Sequence, residues 1–181
     1  MKKNILITGA SSGMGLATAA YLKEKGHLVV GTSRNPPKLP SDIYMLKMDV
    51  TDDISVKNAC AEAVRKFGKI DVLINNAGYG ICGSVEEMPM EETFRQLNTN
   101  YLGTVRVTRE LLPHFRQNKK GLILNISSIG GLIGLPFQSQ YSASKFALEG
   151  FTEALRFEVR PFGIHVCTIN PGDFRTGFTR N

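Results

Sequence analysis

Short apolar runs alternate along this chain with longer segments of helical periodicity. The apolar runs lie at 5–7, 28–32, 43–48, 71–74, 122–126 and 164–169. Helices are expected from the glycine-rich segment to about 25, from 53 to 67, and over 86–100, 101–117 and 141–160. Strands that are apolar at nearly every position are typical of a parallel sheet covered on both faces. The pattern predicts an α/β fold, a Rossmann-type doubly wound parallel sheet with helices on both faces.

A glycine-rich segment, TGASSGMG at 8–15, lies between the first strand and the first helix. This order points free backbone N–H groups and a helix N-terminus at a pyrophosphate. The glycines at 9, 13 and 15 are not spaced as G-x-G-x-x-G, and no G-K-[ST] follows, which excludes a nucleoside-triphosphate P-loop. A plain glycine-rich turn is the alternative, and the flanking strand and helix favour phosphate binding.

The second strand ends in Ser33-Arg34, where a dinucleotide fold meets the adenosine ribose. An acidic residue there binds the 2′-hydroxyl, whereas an arginine matches a 2′-phosphate. The alternative is a solvated arginine at a strand end. The residues present favour NADP(H) over NAD(H).

Tyr141 and Lys145 are four residues apart on a predicted helix, so they share one face. A neighbouring ammonium favours the phenolate and lowers the pKa of the phenol, which then exchanges protons near neutral pH. An isolated Y-x-x-x-K is usually a half-buried tyrosine beside a solvated lysine. The polar residues at the other strand ends, Ser128 above all, favour the catalytic interpretation.

The composition narrows the function classes. The 181 residues predict a single dinucleotide-binding domain over 1–181. The net charge of +6 is spread along the chain, which favours a phosphate ligand over nucleic acid. Three separated cysteines, Cys60, Cys82 and Cys167, argue against disulfides and a metal site, and two of them, Cys60 and Cys167, are expected in the core. No apolar run is long enough to span a membrane, and the N-terminal run is too short for a signal peptide, which predicts a cytoplasmic protein.

Several motifs together resemble the short-chain dehydrogenase/reductase family, with its hydroxysteroid- and retinol-dehydrogenase-like branches. They are the glycine-rich segment, NNAG at 75–78, Asn100, Ser128, Tyr141-x-x-x-Lys145 and NPG at 170–172. Their order and spacing match that family over essentially the whole chain.

The resemblance implies a set of catalytic roles. Tyr141 would be the general acid, and Ser128 would hydrogen-bond the substrate oxygen. Lys145 would lower the pKa of the tyrosine and hold the nicotinamide ribose. Asn100 would hold the water that feeds protons to Lys145.

The resemblance also implies the cofactor contacts. Those at the phosphates would be Gly9, Ser11, Ser12, Met14 and Gly15, with Arg34 at the 2′-phosphate. Asp49 and Val50 would flank the adenine, and Asn76, Ala77 and Gly78 would line the ribose side. Pro171, Gly172 and Thr176 would lie near the nicotinamide, together with Tyr141 and Lys145. Ser12 departs from the basic residue of some NADP-dependent relatives, so the cofactor preference depends on Arg34.

The family function would be hydride transfer between NADP(H) and a carbonyl or secondary alcohol of a small molecule. The rival hypothesis is a non-catalytic NADP(H)-sensing protein of the same fold. Family members usually continue into a lid and a seventh strand, whereas the sequence given ends at Asn181, so a chain of this length is expected to bind the cofactor and turn over poorly. They commonly form homodimers or homotetramers, here expected through the helices at 104–117 and 141–160.

Overall fold

The structure is a computed structural model that describes residues 1–37 and 43–173. Its described residues form one parallel sheet in the order β3-β2-β1-β4-β5-β6. The strands are β1 Asn4–Ile7, β2 Leu28–Ser33, β3 Tyr44–Lys47, β4 Val72–Asn75, β5 Gly121–Ile126 and β6 Ile164–Ile169. The strand order reverses between β1 and β4, so a crevice opens beyond their carboxyl ends. The predicted doubly wound fold is confirmed.

Helices connect the strands and cover both faces of the sheet. They are α1 Gly13–Glu24, α2 Asp53–Phe67, α3 Met90–Leu97, α4 Gly103–Gln117 and α5 Ser139–Val159. A π-helical turn, Asn98–Leu102, joins α3 to α4, and short 3-10 turns lie at Ile129–Gly131 and Arg160–Phe162. No helix in the described ranges is both long and apolar enough to cross a membrane.

Local sequence signals account for the bounds of α2. The Asp52 carboxylate accepts a hydrogen bond from the Ser55 N–H at 2.7 Å, which satisfies a free donor of the first turn. Gly68 ends the helix with a φ of 68°, a left-handed conformation that favours glycine. Both signals were readable in the sequence.

Two apolar cores lie on opposite faces of the sheet, because alternate side chains of each strand point in opposite directions. Leu6 and Leu73 pack with Leu111 and Phe115 of α4 on one face. The other core contains Ile5, Ile7, Ala19, Val29 and Ile74. Fully burying each such large side chain contributes about 1.5–3 kcal/mol. With both faces covered, the strand ends remain as the place for a ligand.

Three local expectations differ from the structure. The helix predicted from residue 86 begins at Met90, after a turn in which Met88 N–H bonds Ser84 C=O at 3.2 Å. The continuous helix predicted beyond it is interrupted by the π turn. Cys60 is buried in the core as expected, but Cys167 is only partly buried, because its position on β6 alternates with the core residue Val166.

Candidate active site

Within the described part of the chain, two adjoining cavities lie at the carboxyl ends of the strands. The first, of about 460 Å³, surrounds the glycine-rich segment. The second, of about 280 Å³, lies beside Ser128, Tyr141 and Lys145. Both are lined by Met14, Asn76 and Gly78, so the two spaces meet there. A ligand longer than either cavity can therefore extend from one into the other.

The glycine-rich segment is fixed to the end of β4 by side-chain hydrogen bonds. The buried Thr8 Oγ1 accepts from Asn76 N–H at 3.0 Å and from Ala77 N–H at 2.9 Å. Asn76 Nδ2 in turn donates to the carbonyls of Thr8 at 2.9 Å and Gly9 at 3.1 Å. These four hydrogen bonds hold the glycine-rich segment against the segment that follows β4, next to the junction of the two cavities.

The glycines of this segment are required by close packing. Gly9 has a φ of +66°, and a Cβ on it would lie 2.9 Å from Ala77 Cα. A Cβ on Gly15 would overlap the Gly9 carbonyl oxygen. At the start of α1, the N-cap Ser12 makes no side-chain capping bond and the first turn holds no acidic residue. The helix therefore presents free N–H groups and its positive end to the first cavity, as a phosphate requires.

The structure brings the predicted cofactor residues of the first half together. Those lining the first cavity are Gly9, Ser11, Ser12, Met14, Gly15, Arg34, Asp49, Val50, Asn76, Ala77 and Gly78. Arg34 is exposed at its edge. Ser33, also at this edge, donates from Oγ to Ser11 Oγ at 3.0 Å. Neither hydroxyl is an acid, so the pocket suits an anionic group beside the arginine.

Asp49 is held as a carboxylate at the end of β3. Burial alone would raise its pKa, but hydrogen bonds from the Thr51 N–H and hydroxyl, at 2.9 and 2.7 Å, outweigh it. The positive charges of Arg34 and Arg106 act in the same direction, and the pKa lies below its ordinary value. The side chain is thus a fixed acceptor in the first cavity.

Three side chains form one wall of the second cavity. Ser128 follows β5, while Tyr141 and Lys145 come from the first turns of α5. The Ser128 hydroxyl is hydrogen-bonded to the Tyr141 phenol. The Lys145 Nζ lies 5.7 Å from the centroid of the Tyr141 ring and donates to the Ile126 carbonyl at 2.8 Å. The spacing in the sequence therefore places phenol, hydroxyl and amine together.

The electrostatics of this wall differ from the expectation. Burial raises the pKa of Tyr141, and the hydrogen bond from Ser128 only partly offsets it. Burial also lowers the pKa of Lys145 to about 8, against the opposing charge of Glu149. The pKa of the phenol therefore lies above its ordinary value rather than below it, because desolvation outweighs the hydrogen bond from Ser128. The effect of Lys145 on the phenol stays a prediction.

Asn100 lies outside the lining of both cavities, in the π turn between α3 and α4. It is buried, and its Oδ1 accepts from the Tyr79 N–H at 3.0 Å. Its Nδ2 donates to the Tyr79 carbonyl at 2.9 Å and to Ser144 Oγ at 3.1 Å. A Cβ on Gly78 would lie 3.1 Å from its Oδ1 and 3.9 Å from the Lys145 Nζ. The side chain thus ties α5 to the segment after β4.

Pro171 and Gly172 line the second cavity, whereas Thr176 lies outside the described residues. Sequence reasoning missed Thr8, Tyr79 and Asp173, which bind or line the site. Of these three, Thr8 could have been predicted from the sequence, since it directly precedes the first glycine of the glycine-rich segment. Among the described residues, no group of three acidic, histidine or cysteine side chains could hold a metal ion.

The first cavity fits a dinucleotide phosphate, and the second places a hydroxyl and a phenol where a reacting oxygen would need donors. The arrangement can therefore hold an oxygen between Ser128 and Tyr141 and exchange a proton with it.

Comparison with known proteins identifies relatives of this arrangement. The family model described as short chain dehydrogenase matches residues 3–181. The 3-ketodihydrosphingosine reductase of Bacteroides thetaiotaomicron is 54% identical over 177 residues, which are 98% of this chain and 66% of that protein. The chain thus spans about two thirds of that relative's length.

Solved structures are also similar to this chain over nearly its whole length. ElxO with NADP bound has a TM-score of 0.91 at 36% identity, over 97% of this chain and 75% of that one. The 3-ketoacyl-(acyl-carrier-protein) reductase from Brucella melitensis complexed with NADH has a TM-score of 0.92 at 33% identity, over 97% and 78% of the two chains. The similar proteins therefore include one bound to each form of nicotinamide cofactor.

Proposed function

Because this chain belongs to the short-chain dehydrogenase/reductase family, we propose that it is an oxidoreductase that transfers hydride between NADP(H) and a carbonyl or secondary alcohol. One observation carries the proposal. The cavity walled by Ser128, Tyr141 and Lys145 opens into the cavity of the glycine-rich segment through shared residues. A dinucleotide in the first would extend towards the proton donor in the second.

The proposed reaction in the reducing direction needs a hydride and a proton. A nicotinamide cofactor held in the first cavity would supply the hydride, with its electron pair, and would be oxidised in the process. The Ser128 hydroxyl donates a hydrogen bond to the substrate oxygen and stabilises the negative charge that develops on it. The Tyr141 hydroxyl gives its proton to the same oxygen, so the C=O becomes H–C–OH and the tyrosine is left as phenolate.

The raised pKa of Tyr141 suits the role of proton donor, because the phenol keeps its proton until an alkoxide forms beside it. Lys145, whose Nζ lies 5.7 Å from the centroid of the Tyr141 ring, would stabilise the phenolate that results and contribute to reprotonation. Asn100 would act through the water proposed between its turn and Lys145.

We propose NADP(H) as the preferred cofactor. Ser33 occupies the position of an acid that would repel a 2′-phosphate, and Arg34 is exposed beside it at the cavity edge. The hydroxyls of Ser11 and Ser33, 3.0 Å apart, add neutral donors to the same place. The binding of NADP by ElxO is consistent with this assignment.

The substrate is proposed to be a ketone with an apolar body. Ile129 and Leu135 line the second cavity. In the same loop, the side chains of Leu132, Ile133 and Phe137 are 58%, 59% and 67% exposed. Apolar side chains exposed together at the mouth of a site mark a binding surface. A 3-ketodihydrosphingosine is the first substrate to assay, because the reductase of that name is 54% identical.

Replacing Tyr141 by Phe tests the proposal on the protein that carries this chain. The change removes one hydroxyl and keeps the ring, so it removes the proton donor with little change in packing. We expect kcat for ketone reduction, followed by NADPH absorbance, to fall about 10²–10⁴-fold while the Kd for NADPH changes less than about twofold.

The matched control is Tyr21→Phe, because Tyr21 is 58% exposed on α1 and lines neither cavity. The kcat of Tyr21→Phe should equal that of the wild type. Equal kcat values for wild type and Tyr141→Phe would show that Tyr141 is not the proton donor. A wild type that binds NADPH and oxidises none with any ketone would support a non-catalytic NADP(H)-sensing protein.

A further inference from the structure

Glu149 lies one helical turn after Lys145, on the same face of α5, and both of its carboxylate oxygens are engaged. Oε1 accepts a hydrogen bond from Asn170 Nδ2 at 2.6 Å, and Oε2 accepts one from Thr168 Oγ1 at 2.9 Å. The side chain is half-buried between α5 and the end of β6. It lines neither cavity, so it acts on the site only through its neighbours.

Asn170 carries the effect of Glu149 to Ser128. The Asn170 Nδ2 that donates to Glu149 also donates to the Ser128 carbonyl at 3.2 Å. Two backbone bonds flank this contact, Ser127 N–H to Ile169 C=O at 2.8 Å and Ile129 N–H to Pro171 C=O at 3.1 Å. Of the three links between the ends of β5 and β6, the one through Asn170 reaches α5, which carries Tyr141 and Lys145.

A second effect of Glu149 is electrostatic. Lys145 is 5% exposed, and its Nζ donates to an uncharged carbonyl, that of Ile126. Burial disfavours the ammonium form, and the negative charge of Glu149 favours it.

Besides Glu149, ionisable groups come from α5 itself, from the second cavity and from the elements that pack against α5. Tyr141 is on the same helix, and Asp173 lines the same cavity. Two more ionisable groups belong to elements that pack against α5. They are Tyr101, whose ring lies against Phe151, and Arg95, which pairs with Glu92. On β6, Thr168 bonds Glu149 across to α5, so His165 and Cys167 lie on the opposite face by alternation.

We propose that Glu149 is a positioning residue for both parts of the catalytic wall. Its charge keeps Lys145 as an ammonium, and its hydrogen bond to Asn170 fixes the Ser128 peptide relative to α5. The inference rests on the proposed function, because it assigns Glu149 to the same reaction.

Glu149→Gln isolates the charge, because glutamine retains an oxygen that can accept from Asn170. Loss of the charge makes Lys145 lose its proton at lower pH. We therefore expect the alkaline limb of the kcat/KM profile to move down by about one pH unit, with the plateau near the wild-type value. Glu149→Ala also releases Asn170, and its plateau kcat should fall about tenfold below that of Glu149→Gln.

Glu153→Gln is the matched control, since Glu153 is exposed one turn further along α5 and the change in net charge is identical. Its profile should follow the wild type. An unmoved limb in Glu149→Gln would overturn the electrostatic part, and equal plateaus for the glutamine and alanine variants would overturn the geometric part.

Two readouts without turnover separate this inference from the proposed function. An NMR titration of ¹⁵N-labelled lysine, with Lys145 assigned by the signal lost in Lys145→Arg, should show a lower midpoint in Glu149→Gln and no change in Glu153→Gln. The Ser128 and Ile129 amide signals should shift in Glu149→Ala more than in Glu149→Gln. If the protein reduces no ketone but these signals move as stated, the proposed function fails, while the effects of Glu149 on Lys145 and on the Ser128 peptide stand.

Discussion

At the scale of single residues, the proposed preference for NADP(H) depends on Arg34. Replacing it by Asp exchanges a donor fork that matches phosphate for a carboxylate that repels phosphate and accepts from a ribose hydroxyl. We expect kcat/KM for NADPH to fall about 10–100-fold and that for NADH to rise, so that the preference reverses. Steady-state kinetics with both cofactors measure this.

The control for Arg34→Asp is Arg65→Asp, which makes the same change of charge at an exposed position of α2 outside both cavities. It should leave the ratio of the two kcat/KM values unchanged. If Arg34→Asp also leaves that ratio unchanged, the 2′-phosphate is not bound at this strand end.

Single residues whose chemistry depends on near neighbours in the sequence were predictable. Tyr141 and Lys145 are one helical turn apart, and the strand ending at Ser33 and Arg34 was visible as an apolar run. Their pKa values were not predictable, because these depend on desolvation by parts of the chain that are distant in sequence. Glu149 was missed for the same reason: its partner Asn170 is 21 residues away along the chain.

At the scale of elements, the 3-10 turn Ile129–Gly131 sets how closely α5 approaches the end of β5. A Cβ on Gly131 would lie 2.7 Å from Ser127 Oγ and 3.1 Å from the Lys145 carbonyl carbon. Gly131→Ala should therefore lower the free energy of unfolding by about 1–3 kcal/mol through overpacking. It should also lower kcat, because α5 carries the proton donor.

Gly134→Ala is the control in the same loop, where a Cβ would meet nothing within 4 Å. Urea unfolding and kcat of the two variants give the comparison. Adding Ser127→Ala to Gly131→Ala removes the nearest atom and should restore part of the loss. Equal stability of the two glycine variants would show that this turn accommodates a Cβ at residue 131 without strain.

Elements with strong periodicity and clear terminal signals were predicted well, as α2 and the six strands show. The π turn Asn98–Leu102 was not, since the residues there continue a helical pattern and the extra residue per turn leaves no signature in spacing. Gly103, just after the turn, packs closely against the segment that follows β3, since a Cβ on it would lie 2.8 Å from Val50 Cγ2. That contact joins α4 to the end of β3, which no local pattern reveals.

At the scale of the whole molecule, burial of the Lys145 ammonium in the site lowers the stability of the folded protein. The titration of Lys145 measures by how much. Its pKa is lowered by burial from 10.5 to about 8, so above pH 8 the folded state releases a proton that the unfolded chain retains until about 10.5. Between these values the unfolded state binds more protons, and stability from this group rises with pH. Below about pH 8 both states are protonated, and folding must bury the charge.

Lys145→Met removes this titration while it keeps a long side chain in place. The free energy of unfolding of the wild type minus that of Lys145→Met should be flat below about pH 8 and rise towards pH 10.5, by up to about 3 kcal/mol. Taking the difference cancels the groups that titrate alike in both proteins, and urea unfolding at a series of pH values measures it. A difference that stays level across this interval would mean that Lys145 is solvated in the folded protein. The proposed reaction depends on close packing of the phenol, the hydroxyl and the amine, and that result would contradict it as well.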